Sequence, residues 1–208
     1  MKDIVALGRY SLAGLRMLAV ATLVLGIGYP LLVTGIAQVA LPWRADGSLV
    51  TATGAHTTSA SDAVGSALIG QGVTGKDLFL PRPSAAGDGY DPLATAASNL
   101  GPESPVLIKE IEKRKAAVAA REGVDPSQVP PDAVTASGSG LDPDISVAYA
   151  DLQVPRVARA QGLSESQVRA LVEKFTSGRS WGTLGEPHVN VLLLNIAVRE
   201  AAQARSSS

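Results

Sequence analysis

"MLAVATLVLGIGYPLLVTGIAQVALPW", Met17 to Trp43, carries no charge over 27 residues. About 20 apolar residues cross the hydrocarbon core of a bilayer as a helix, so this run predicts a membrane-spanning segment over 17–43. It ends in Pro42 and Trp43, where an aromatic anchor belongs. A cleaved signal peptide is the competing reading, and "GIAQVA" offers small residues for cleavage. A signal h-region is about 7–15 residues long, much shorter than this run, which favours the span. Lys2, Arg9 and Arg16 precede the run against Asp3, whereas Arg44 and Asp46 follow it and no Lys or Arg recurs until Lys76. The positive-inside bias then places residues 1–16 in the cytoplasm and everything after Trp43 outside it, in a single pass. Thr22 and Gly26 stand four apart, with Gly28 and Gly35 beyond. Small residues at such spacings let helices approach closely in lipid, so Gly26 and Gly28 are candidate contacts with a larger membrane partner; glycine merely tolerated in a membrane helix is the alternative.

Among the 208 residues, formal net charge is −1 and cysteine is absent. Without a basic field there is no basis for holding nucleic acid. Without cysteine there is no disulfide framework, thiolate metal site or Cys nucleophile.

Residues 44–62 are small and polar and predict an irregular stalk. A single mixed domain over 63–208 follows, of α+β class. "GSALIGQ" suits a short buried strand, and "DLFLPRPS" continues one only as far as Leu80, because Pro81 and Pro83 lack the N–H that a central strand donates. Residues 81–104, rich in Pro, Gly, Ser and Asn, form a long loop, and such loops in compact domains are usually functional. Ser104, Pro105 and Gly123 punctuate a helix whose "KEIEKRK" side is solvated. Val134–Ala136 suits a strand and "SGSGLDP" a tight turn. "SVAYADLQ" and "PRVARAQG" predict two short helices divided at Pro155. "LSESQVRALVEKF" carries a capping box, Ser164 with Gln167, and a staple from Leu163 to Val168. The apolar run 188–198 fits helix or strand, with helix favoured from about Asn190; the tail "RSSS" should fray.

One motif invites an enzymatic reading. Gly70, Gly75 and Lys76 in "GQGVTGKD" fall one letter short of the phosphate loop Gly-x-x-x-x-Gly-Lys-[Ser/Thr]. Asp77 stands where the Mg²⁺-binding hydroxyl belongs, and the following Leu-Phe-Leu-Pro-Arg-Pro cannot propagate the helix whose N-terminus would face the phosphates. The topology also puts the loop outside the cytoplasm, where ATP is scarce. It is therefore read as a false phosphate loop, with no cofactor bound directly. Ser139 in "SGSG" lacks a nucleophile elbow. His56 and His188 lack metal-ligand spacing. Asp142 and Asp144 in "LDPDIS" suit acid and base roles or a cation, but Asp before Pro is also common turn chemistry.

"RPS", "SNLGP", "TASGSGLDP", "QVPRVA" and "GEPHVNVLLLN", taken together and in this order along the whole chain, resemble the KdpC family, a subunit of the bacterial potassium-transporting P-type ATPase. Departures are Ala96 and Ala97 where that family usually has glycines, Asp144 where His is usual and His188 where Arg is usual. The resemblance implies a non-catalytic subunit in the bacterial plasma (inner) membrane. It implies three partners: a channel-like K⁺-translocating subunit, a P-type subunit that hydrolyses ATP with Mg²⁺, and a small membrane peptide. It also implies a role in assembly and, as proposed for the family, as a catalytic chaperone raising apparent ATP affinity. Given the topology, an allosteric route fits that effect better than direct nucleotide contact. The partner-facing surface is placed on residues 81–104 and 137–144, with Arg82, Ser84, Asn99, Ser139 and Asp142 as candidates. Arg82, held between two prolines, suits either a bidentate partner contact or a staple for its own loop. Two other classes stay open on the residues: a membrane-tethered hydrolase using Ser139 or Asp142, and an independent tethered binding domain.

Overall fold

The computed structural model describes residues 2–206, with Lys2 and Asp3 described by backbone only. The charges of those two residues and the last two serines of the expected frayed tail therefore lie outside the described residues. The chain divides into two compact units, one up to Ser48 and one from Leu49 onward.

The first unit is a long helix. It consists of α1 (Lys2–Ala21), a π-helical stretch (Thr22–Gly28) and α2 (Tyr29–Ala40), followed after Leu41 by the short α3 (Pro42–Ala45). Its apolar run Ile4–Ala40 is long enough to cross a membrane and buries nothing within the protein. The helix begins well before the charge-free run, so the helical segment is longer than composition implied. The π-helical stretch has a local cause. Pro30 has no N–H, and in an α-helix its ring would press on the carbonyl of Gly26. The chain widens just before it, and Tyr29 donates to the Val24 carbonyl five residues back.

The second unit opens with a three-stranded antiparallel sheet in the order β2 (His56–Thr57), β1 (Leu49–Thr51), β3 (Ala63–Ser66). The expected stalk over 44–62 is thus largely folded. Val50 points inward and is fully buried, and the pair Leu49–Val50 between small polar residues is too short a pattern to announce a strand. The strand sought in "GSALIGQ" ends early, at Ser66, and Leu68 and Ile69 are exposed.

Four helices and a second antiparallel sheet complete the unit. They are α4 (Pro105–Glu122), β4 (Asp144–Ser146), α5 (Val147–Gln161), α6 (Glu165–Lys174), β5 (Thr176–Ser177), β6 (His188–Asn190) and α7 (Val191–Ser206), with sheet order β4-β6-β5. Gly123 closes α4 in the left-handed conformation, and Ser164 with Gln167 forms the expected capping box. Ser104 precedes α4 without a side-chain cap. Leu163 and Val168 are both in the core. Val134 lies in a turn after a 3₁₀ segment, Pro131–Ala133, instead of a strand. Pro155 does not divide α5. It forfeits one ladder bond, but Ala150, Val154, Val157 and Ala158 are buried on the same helix, and that packing outweighs the local cost. At the C-terminus α7 persists through Arg205 and Ser206, so the part of the tail that is described stays helical.

Candidate functional site

Residues 76–80 run between α5 and α7, with Leu78 and Phe79 buried. Burying two such side chains contributes about 1.5–3 kcal/mol each, but it strips water from the backbone around them. Helix side chains replace that water. Asn195 on α7 accepts the Phe79 N–H at 2.8 Å and donates to the Phe79 carbonyl at 2.9 Å. Gln153 on α5 does the same for Leu80, at 2.8 and 3.1 Å. Arg156 donates to the carbonyls of Lys76 and Leu78. Its Nε meets Glu122 at 2.9 Å, and Arg121 meets the same carboxylate at 2.7 Å. The segment thus uses side-chain amides where a strand would use a neighbour, which is why it reads as strand in sequence yet pairs with none.

This strap delivers the chain to the loop 81–104, whose first half is laced to the glycine turn. Arg82 Nη1 pairs with Asp142 Oδ2 at 2.8 Å, and Asp142 Oδ1 accepts the Asp144 N–H at 3.0 Å. The Ser84 hydroxyl donates to the Gly140 carbonyl at 2.7 Å and accepts the N–H groups of Ala86 and Tyr90. Tyr90 donates its hydroxyl to the Arg82 carbonyl at 2.6 Å. Its pKa is raised by burial and by the nearby Asp142 charge, so the phenol keeps its proton. Ser139 holds the loop through its carbonyl, which accepts from Thr95 and Ala96. Gly140 has φ +70° and lies so close to Ala86 that a Cβ would come within 2.7 Å of its backbone nitrogen.

The structure brings Arg82, Ser84, Ser139 and Asp142 into this one surface, with Arg82 stapling its own loop. Asn99 lies apart, exposed and in the left-handed region at φ +51°. Asp144 has its carboxyl raised from the usual range, mainly by burial, and faces His188 Nε2 at 3.8 Å. His188 Nδ1–H donates to the Glu186 carbonyl. Gly26 and Gly28 lie in the π-helical stretch, where an added Cβ would meet only ordinary contacts.

The near phosphate loop has a packing role. Gly70 is buried and donates to the Leu141 carbonyl, and a Cβ there would lie 2.3 Å from the Asp142 carbonyl oxygen. Lys76 is exposed, and the next helix begins only at Pro105. The hydroxyl of Ser139 accepts the Leu141 N–H rather than meeting a base. Among the described residues no group of three or more His, Asp or Glu can hold a metal ion. A cavity of about 360 Å³ lies between the first sheet, residues 70–74 and α7, lined by Val64, Val73, Leu78, Ile196 and Arg199 among others.

The chain thus joins a long apolar helix to a separate mixed α/β unit, and the sequence comparisons assign its family. The family described as "K+-transporting ATPase, c chain", KdpC, matches residues 11–200. The chain belongs to this family. It is 56% identical to a potassium-transporting ATPase KdpC subunit of Kineococcus radiotolerans, over 93% of this chain and 95% of that one. It is 48% identical to one from Rhodospirillum rubrum, over 89% and 93%, and 47% identical to one from Mycobacterium bovis, over 91% and 97%.

The sequence reading missed Gln153, Arg156 and Asn195. A helix-borne amide or guanidinium among apolar neighbours, as in "LQVPRVA" and "LLLNIAV", is the signal that was available.

Proposed function

We propose that this chain is a non-catalytic subunit of a high-affinity, ATP-driven potassium uptake complex, anchored by one membrane pass with its second unit outside the cytoplasm. The observation that carries the reading is the family match over residues 11–200. The residues support it from another side, because their hydrogen bonds knit Ser139, Asp142 and the Gly70–Lys76 stretch into turns and packing contacts instead of assembling a reacting centre. In this reading ATP and Mg²⁺ are used by a P-type partner subunit and K⁺ passes through a channel-like one, with a small membrane peptide completing the assembly. The loop 81–104 and the glycine turn present the partner-facing surface. Any rise in ATP affinity arises because this surface contacts one pump conformation better than another.

The test is to delete the chain and return it. Growth at limiting K⁺ should fail without it. Lys76→Ala should restore ATP-driven K⁺ uptake to within about twofold, whereas a phosphate-loop lysine would be indispensable to nucleotide binding. Loss of uptake by Lys76→Ala with the complex intact would overturn the non-catalytic reading.

A further inference from the structure

Between β5 and β6 the chain makes a second, shorter excursion that the proposed docking surface does not use. Ser180 and Leu184 pair across it, N–H to carbonyl in both directions at 2.8 and 3.0 Å. At its base Arg179 grips both oxygens of Glu186 at 2.8 Å. The arm is therefore a formed hairpin. Its tip, "SWGTLG" from Ser180 to Gly185, holds no charge, and the charges at its base cancel each other. Trp181 stands there in the left-handed region at φ +54°, 94% exposed, with Leu184 62% exposed beside it. Holding a large indole in that backbone conformation costs energy, and the indole recovers nothing from the fold around it.

From this geometry we infer that the 178–187 hairpin is a lipid-contacting finger, with Trp181 and Leu184 entering the headgroup region of the bilayer that holds the apolar helix. The inference rests on reading that helix as membrane-spanning. Three observations select lipid over a protein pocket. The tip is uncharged from Ser180 to Gly185, so no ionised group has to leave water as it enters the headgroup region. The neutralised Arg179–Glu186 pair removes the cost of bringing the arm's base to the interface. Only Asp46, Gly47 and Ser48 separate α3 from β1, so the tether already holds the unit at the membrane and a weak contact suffices. An indole belongs at that depth, with its apolar body and single N–H donor divided between hydrocarbon edge and water.

The protein contains two tryptophans, Trp43 and Trp181, which permits a direct test on the full chain. Trp43→Phe leaves Trp181 as the reporter; Trp181→Phe leaves Trp43 as the reference at the end of the apolar run. Each is reconstituted into phosphatidylcholine/phosphatidylglycerol vesicles with or without lipids brominated near the headgroup. Brominated lipid should quench Trp181 by about half or more, with a blue-shifted emission, as for an aromatic at the interface. Trp181 quenched by aqueous iodide but not by brominated lipid, while Trp43 responds to the lipid, would overturn the inference alone. Silence of both tryptophans to brominated lipid would overturn the membrane-spanning reading and the inference with it. Lipid quenching of Trp181 in the vesicles that disappears, together with iodide quenching, in the purified complex would show a protein covering the tip and would likewise overturn it.

Discussion

The two units treat the same side chains in opposite ways. Along Ile4–Ala40, Leu, Val and Ile stand exposed on one long helix, a form that closes most of its backbone hydrogen bonds within the segment itself. In the second unit Leu78 and Phe79 are buried, and the backbone that carries them is closed by other helices' side chains. An apolar run in a membrane needs only its own ladder. An irregular apolar segment in a water-soluble core needs polar side chains brought to it.

That contrast predicts where substitutions hurt most. Arg156 is buried and satisfies Glu122, Gln153 and two strap carbonyls at once. Arg156→Leu should therefore cost about 2–4 kcal/mol: two strap carbonyls lose their donor, at about 1–3 kcal/mol for each buried group left unpaired, while Arg121 still pairs with Glu122. Chemical denaturation of the full chain in detergent, followed by the loss of helical signal from the second unit, checks this. An effect below about 1 kcal/mol would mean that water replaces the guanidinium, and the contrast would weaken.

Arg82, two residues beyond Leu80 in the chain, belongs to a separate pair, about three-quarters buried and bonded to Asp142. Arg82→Ala should cost a smaller amount, about 1–2 kcal/mol for a partly exposed charged hydrogen bond. Under the proposed docking role, recovery of the complex should fall further than this destabilisation explains. A stability loss with full recovery would confine Arg82 to stapling its loop. In the membrane unit the expected stability effect is smallest. Gly26→Leu should leave insertion and the fold of the second unit unchanged, yet reduce copurification of membrane partners more than Leu25→Ile does. Equal recovery with both would mark this face as lipid-exposed.

The sequence made the first unit legible because length and lack of charge predict one long apolar helix, and the helix observed is long enough to cross a membrane. It also announced α4 and α6 through periodicity and terminal residues, and it favoured helix from about Asn190, where α7 begins at Val191. Val50's strand stayed hidden because three residues carry no period, and the unity of α5 stayed hidden because Pro155 argues locally for a break that tertiary burial overrides. The site was half legible. "RPS" and "SGSGLDP" pointed to two turns, but that Arg82 reaches Asp142 and Ser84 reaches Gly140 depends on 60 and 56 residues of intervening chain. The reading of the near phosphate loop rested on Asp77 and Pro81; the packing reason for Gly70 was not legible, since its neighbour is the Asp142 carbonyl.

Under the proposed function this chain works as a subunit and performs no ATP chemistry itself. Affinity purification of the tagged chain from membranes of its own K⁺-starved host, with ATPase activity assayed in the eluate before and after dissociating the complex, tests it most directly. The account expects larger membrane proteins to travel with the chain and K⁺-stimulated ATP hydrolysis to leave with them, so that the isolated chain retains none. A chain that elutes alone, or that hydrolyses ATP after its partners are removed, would contradict it.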